Sequence, residues 1–342
     1  MKYFLGFLKG LAAVIAVLMV VFFLGPKVER PNLNKPLPEL TSDLIQIERK
    51  IRETEDLVPN IKPDNEARII WADSIPRKTP YSIVYLHGWS ASQEEGDPIH
   101  LEIAKRFGCN LYLPRLAGHG LLEKEPMLEL TAEELLDSAR EAVAVGKQLG
   151  DKLILMGTST GGTLALHFAS ELSDEIAALL LYSPNVEIFD PNAKFISGPW
   201  GLQFLKAIKG SDYHEFDTDI ELKNQYWTTK YRLEALTQLQ SLMDATMTEE
   251  TFASIKQPVF LGYYYKDQVH QDSVVSVPAM LEMYDLLGTE PEKKVKVAFP
   301  EVGDHVMTSH VSSKDLESVK EETFRYIETY LNLKPVTRNA KK

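Results

Sequence analysis

From Arg68 onward the chain alternates short apolar runs with longer segments of mixed pattern. The runs RIIWA, YSIVYLHGW, CNLYLPRL, KLILMG, IAALLLYSP, QPVFLGYYY and KKVKVAFP are largely aliphatic and aromatic, the pattern of strands buried on both faces. Between them, PIHLEIAKRFG, TAEELLDSAREAVAVGKQLG, TGGTLALHFASEL, PAMLEMYDLLG and LESVKEETFRYIETYL place apolar residues at helical spacing. The second of these opens on Thr131 with Glu134 set for a capping box, and Gly150 marks its end. Strands alternating with helices predict an α/β fold, a mostly parallel sheet with helices on both faces.

Two stretches break that rhythm. From about residue 185 to 255, FISGPWGLQFLKAIKG and YWTTKYRLEALTQLQSLM predict helices rich in aromatic and apolar residues. An insertion at the C-terminal edge of a parallel sheet lies where such folds bind ligands, so it is expected to cap a pocket. The other stretch is the first 25 residues, where only Lys2 and Lys9 are charged and Leu11–Leu24 is continuously apolar. Counted from Tyr3, the segment reaches the roughly 20 residues of a bilayer span, with Lys9 able to extend its stem toward the headgroups. Its end, VVFFLGPKVERP, has bulky residues where a signal-peptide cleavage site has small ones. A retained anchor is therefore expected in preference to a cleaved signal segment. The N-terminal lysines predict that the short tail stays inside and the remainder is exported, against the weaker pull of Lys27 and Arg30 on the far side. The proline-rich PKVERPNLNKPLPEL predicts an extended linker, and TSDLIQIERKIRETEDLV an amphipathic helix.

Composition narrows the classes. With 342 residues and 44% hydrophobic content the chain can bury a large core. A net charge of −12 without a basic face excludes phosphate-neutralising nucleic-acid binding. The single cysteine, Cys109, excludes disulfide frameworks and Cys-rich zinc sites.

Chemistry concentrates at LILMGTSTGG, where Gly157–Gly161 matches G-x-S-x-G between a predicted strand and a predicted helix. Such a turn presents the Ser159 hydroxyl above the sheet edge. A serine hydroxyl needs a base to become a nucleophile. His305, after the last predicted strand, falls at the same edge; the other seven histidines lack that context. The imidazole needs a carboxylate in turn, and both Asp267 and Asp272 follow the strand QPVFLGYYY.

The segment from about 68 to 332 resembles the α/β-hydrolase superfamily, especially bacterial carboxylesterases and monoacylglycerol-lipase-like serine hydrolases. The resemblance rests on LHGW, LPRLAGHG, GTSTGG and GDH, each after a predicted strand. It implies an α/β-hydrolase fold; with the pattern above, the domain is expected over residues 67–335 with a cap insertion at about 185–255, after 1–25 as anchor or signal segment and 26–66 as linker and helix, and before a tail over 336–342. It implies a triad of Ser159, Asp272 and His305, since Asp272-Ser-Val-Val matches the family's Asp-x-Val-Val better than Asp267-Gln-Val-His does. It implies an oxyanion hole from the backbone amides of Trp89 and Thr160, and structural roles for His87 and His119. The activity expected is hydrolysis of hydrophobic carboxylic esters, with no cofactor and no metal. A peptidase or amidase of the same fold, and a non-catalytic ligand-binding domain, are the alternatives. The sequence leaves the oligomeric state open.

Overall fold

The computed structural model describes residues 2–336; the tail expected over 336–342 lies, apart from Val336, outside the described residues. Seven strands form one sheet: β1 (Arg68–Ile70), β2 (Thr79–Leu86), β3 (Asn110–Leu113), β4 (Gly150–Thr158), β5 (Ile176–Tyr182), and two that follow the insertion. The insertion carries a separate two-stranded ribbon, β6 (Tyr213–Glu215) and β7 (Lys230–Arg232), so the last sheet strands are β8 (Val259–Tyr263) and β9 (Lys294–Ala298). The order across the sheet is β1-β3-β2-β4-β5-β8-β9, parallel throughout except for the antiparallel edge strand β1. From β2 the chain steps to one side for β3 and returns to the other for β4. That reversal opens a crevice at the C-terminal ends of β2 and β4.

The alternating side chains of β2 explain why its run is continuously apolar. Val84 and Leu86 enter one core, with α4 (Ala132–Leu149) and α5 (Thr160–Glu171). Ile83 and Tyr85 enter the other, with α3 (Ile99–Phe107) and α11 (Leu316–Tyr330). Helix α4 begins with the capping box the sequence predicts, Thr131 and Glu134 each satisfying the other's backbone N–H. Helix α10 (Val277–Leu286) is capped by Ser276, with a proline in its first turn.

Two expectations change. The stretch YWTTKYRLEALTQLQSLM is not one helix: Lys230–Arg232 pairs with Tyr213–Glu215 before α8 (Leu233–Thr246) begins. The rest of the insertion is α6 (Gly201–Lys209), α7 (Glu221–Tyr226) and α9 (Glu249–Ser254). The proline-rich stretch after residue 25 is extended but packs on the domain rather than standing free. Leu33, Leu37 and Leu40 rest against the α4-side core, Lys35 pairs with Asp137 at 2.6 Å, and Ser241 donates to the Glu29 carbonyl at 2.9 Å. Helix α2 (Leu44–Asp56), capped by Asp43, buries Ile47 in the same core.

Helix α1 (Lys2–Phe23) projects from the domain, meeting it near Val21 at its C-terminal end. Its span Tyr3–Phe23 has a mean hydropathy of 2.5, is 0% buried, and among the described residues is the one helix long and apolar enough to cross a membrane.

Candidate active site

Ser159 lies between β4 and α5 at φ 53°, ψ −120°, a strained backbone for an L-residue. The surroundings force that geometry. A Cβ on Gly161 would lie 1.8 Å from the Leu86 carbonyl oxygen, and one on Gly157 2.4 Å from the Gly161 carbonyl oxygen. Both glycines are needed for β2, β4 and α5 to converge. The turn is tied down from β5, because Ser159 N–H donates to Tyr182 O at 3.0 Å and Asn185 N–H to Ser159 O at 2.9 Å. Thr160 opens α5, where the first backbone N–H groups lack partners within the helix.

The loops after β8 and β9 bring Asp272 and His305 together. His305 Nδ1 is 2.6 Å from Asp272 Oδ2, and both side chains are almost wholly buried. Asp272 Oδ1 accepts from the N–H groups of Val274 (2.9 Å) and Val275 (3.1 Å). Burial alone would raise its pKa, but the His305 ring and those two amides hold the carboxyl below its ordinary value. Burial likewise opposes charging of His305, yet the Asp272 carboxylate outweighs it and raises the imidazole above its usual value. His305 Nε2 is buried without a hydrogen-bond partner among the described residues. Asp267 is elsewhere in chemical terms. Its exposed carboxylate accepts from the N–H groups of Val269 and His270 and faces the His270 ring at 3.0 Å.

Trp89 follows Gly88 in the turn after β2, and its indole lies edge-on to His119 (5.5 Å between centroids) and Tyr231 (6.4 Å). His87 joins this loop to the next: its Nε2 accepts from Leu116 N–H at 3.2 Å while Nδ1 meets Gly88 O at 3.0 Å. Burial lowers His87 to about 3 and His119 to about 4, so both are neutral braces.

One buried carboxyl carries no sequence signal. Glu95, 2% exposed, accepts the Gly88 N–H on Oε2 and lies 3.2 Å from the Tyr85 hydroxyl. Burial raises it to about 7, against the opposing pull of the Gly88 amide and of His305. It lies within the polar stretch SQEEGDP, whose composition predicts solvent exposure, and only the three-dimensional turn at Gln93–Gly96 turns it inward.

Ser159, His305, Trp89 and Glu95 all line one cavity of about 1830 Å³ beneath the insertion. Trp227, Tyr231 and Leu239 form buried apolar walls, and Phe189, Phe195, Phe204 and Ile208 form an exposed rim. A strained serine, a buried His–Asp pair and an apolar chamber make an arrangement suited to acyl transfer from hydrophobic molecules.

The profile of the alpha/beta hydrolase family matches residues 83–312, most of the chain. The chain belongs to the alpha/beta hydrolase family. This hydrolase is 30% identical over 133 residues to the thermostable monoacylglycerol lipase of Bacillus sp. (strain H-257). That match covers 39% of this chain and 52% of the relative, so it spans about half the length of the curated protein. Solved structures share the fold. One, from work on the metagenome-derived lipolytic enzymes LipS and LipT, superposes with a TM-score of 0.63 at 18% identity, covering 79% of this chain and 99% of that one. A soluble variant of the monoglyceride lipase of Saccharomyces cerevisiae, in complex with a substrate analog, superposes at 0.60 with 8% identity, covering 80% and 92%. The monoacylglycerol lipase of Paleococcus ferrophilus superposes at 0.55 with 14% identity, covering 77% and 98%.

Proposed function

We propose that this hydrolase is a membrane-anchored serine esterase that cleaves hydrophobic carboxylic esters, single-chain acyl glycerides being the first class to test. The 2.6 Å contact of Asp272 with His305, whose ring lines the same cavity as Ser159, carries this reading. In the proposed reaction, His305 Nε2 takes the Ser159 proton as Oγ attacks the ester carbonyl carbon. The Trp89 and Thr160 amides donate to the developing oxyanion. Collapse breaks the bond to the alkoxy oxygen, which leaves as the alcohol with the proton from His305. Water then gives its proton to His305 and attacks the acyl-enzyme, and Ser159 is restored as the carboxylic acid departs. Asp272 stabilises the imidazolium at each stage.

The apolar walls and aromatic rim favour acyl chains over peptides, whose flanking amides would be buried there without partners. Helix α1 supports membrane attachment, and Lys2 and Lys9 at its start support a domain on the exported side. A fluorophosphonate probe tests the reading. The native chain is expected to take the label and Ser159→Ala to lose it; equal labelling of both would remove Ser159 as the nucleophile.

A further inference from the structure

The end of α1 and the mouth of the cavity meet. Trp200 Nε1 donates to Val21 O at 3.2 Å, and Trp200 N–H to Pro26 O at 2.8 Å. A Cβ on Gly25 would lie 2.1 Å from the Trp200 indole nitrogen, so the chain leaving the helix is pressed against this ring. Phe22 itself lines the cavity. Around the same mouth, Phe195 (65% exposed), Phe204 (58%) and Ile208 (80%) present apolar side chains to the outside. Contiguous exposed apolar groups of this kind mark an interaction surface. A 22-residue helix is about 33 Å long, roughly the thickness of the hydrocarbon core, so its C-terminal end and Trp200 fall at the interface, a depth tryptophan favours.

We propose that this rim docks on the lipid bilayer that α1 spans, so that acyl substrates enter the cavity directly from the adjoining leaflet. This inference rests on the proposed anchoring of α1 in a bilayer, and on the proposed ester hydrolysis for the identity of what enters. Rim charges are mixed, Lys27, Lys194 and Lys209 beside Glu29, Asp190 and Asp244, so apolar insertion rather than attraction to anionic lipid carries the attachment.

The full chain in phosphatidylcholine vesicles, spin-labelled at Ile208→Cys or Phe204→Cys, tests it; the native Cys109 is buried and stays unlabelled. Labels at 208 and 204 are expected to be more accessible to dissolved oxygen than to an aqueous nickel chelate. The reverse is expected at Ile75→Cys, which precedes β2 at the opposite sheet edge. Rim labels as open to nickel as the label at 75 would overturn the docking. So would spin–spin broadening at high dilution, which would assign the rim to a second copy. The readout needs no turnover, so an inactive chain with lipid-buried labels would sink the hydrolase reading and leave the docking intact.

A separate observation concerns Glu95. Its carboxyl holds the N–H of Gly88, the residue before Trp89, and its backbone carbonyl accepts from Thr308 Oγ1 at 2.7 Å, three residues beyond His305. A Cβ on Gly88 would meet Glu95 Oε1 at 2.6 Å and Ser159 Cβ at 3.0 Å, so the carboxyl and the nucleophile's side chain both press on this loop residue. We infer that Glu95 is a positioning residue that sets the Trp89 amide through Gly88. The ionisable groups facing it are Tyr85 from β2 and His305 and Asp304 from the loop after β9, with Lys223 of α7 paired to Asp304 at 3.9 Å. His100 of α3 stacks edge-on against Tyr85 and is neutral, at about 3.

The test is the pH profile of kcat/KM on a soluble ester. Glu95→Gln keeps an acceptor for the Gly88 N–H and is expected to retain most of the native kcat on the alkaline plateau. Glu95→Ala removes the brace as well and is expected to fall about 10–100-fold below Glu95→Gln on the alkaline plateau. Equal plateaus for the two variants would overturn the role. A native chain that neither turns over nor takes a fluorophosphonate would instead sink the esterase reading beneath it.

Discussion

The sheet edge and the insertion above it are built on opposite terms. At the edge, the proposed catalytic groups and their braces are held by close packing or by several hydrogen bonds: Ser159 by β5 and two glycine contacts, Asp272 by two amides, His87 and Glu95 by the loops they join. The insertion is tied to the domain at its base, through Tyr226 to Asp64 and Arg232 to Glu125 among others, but leaves large side chains exposed at its rim, Phe195, Phe204 and Ile208 among them. On the proposed function, the difference separates two tasks. Bond-breaking needs atoms fixed within fractions of an ångström, whereas admitting a variable apolar chain needs surface and some freedom.

The contrast can be broken hardest at the acid. Asp272→Asn is expected to lower kcat on a short-chain ester about 10⁴-fold, whereas Asp267→Asn, five residues earlier, changes it less than about threefold, since Asp267 serves only its own turn. Comparable losses in the two variants would dissolve the distinction. Next come the glycines. Gly161→Ala forces a Cβ into the Leu86 carbonyl and is expected to cost at least about 3 kcal/mol in denaturant unfolding. Gly210→Ala, in the insertion, meets nothing within 4 Å and costs about 1 kcal/mol through its φ of 63° alone.

Glu95 makes a third, pH-dependent prediction. Its carboxyl ionises near 7 in the folded chain against an ordinary 4.5, so the folded state binds the proton more tightly. Its contribution is therefore most favourable below pH 4.5 and is lost as pH rises through 7. Between pH 4.5 and 8, Glu95→Gln should gain on the native chain by about 3 kcal/mol in unfolding free energy. A constant difference across that range would contradict the burial argument. The smallest effect belongs to the rim: Phe204→Ala is expected to raise KM for long acyl esters roughly threefold, with little change for acetyl esters.

Legibility in the sequence follows the same divide. Strands β2, β4, β5 and β8 are apolar on both faces, so their runs stand out, and the elbow follows because its glycines flank Ser159 at fixed spacing. The ribbon β6–β7 was hidden because YHE and KYR are three residues each, with no alternation long enough to separate KYR from the helix that follows. The packing of the extended segment after Pro26 is not legible because its prolines mask Leu33, Leu37 and Leu40, which pack only once α4 is in place. Choosing between Asp267 and Asp272 from the residues alone was not possible, since both follow β8; what separates them is that the turn at 267–270 folds back on its own carboxylate. Glu95 was invisible because nothing in SQEEGDP distinguishes the acid that points inward from its neighbours.

Acid-quenched mass analysis during turnover of an activated long-chain ester tests the central claim most directly. The account predicts one acyl group added to the peptide containing Ser159, and neither acyl mass nor turnover in Ser159→Ala. Sustained hydrolysis by Ser159→Ala, or an acyl group carried on another peptide, would contradict it.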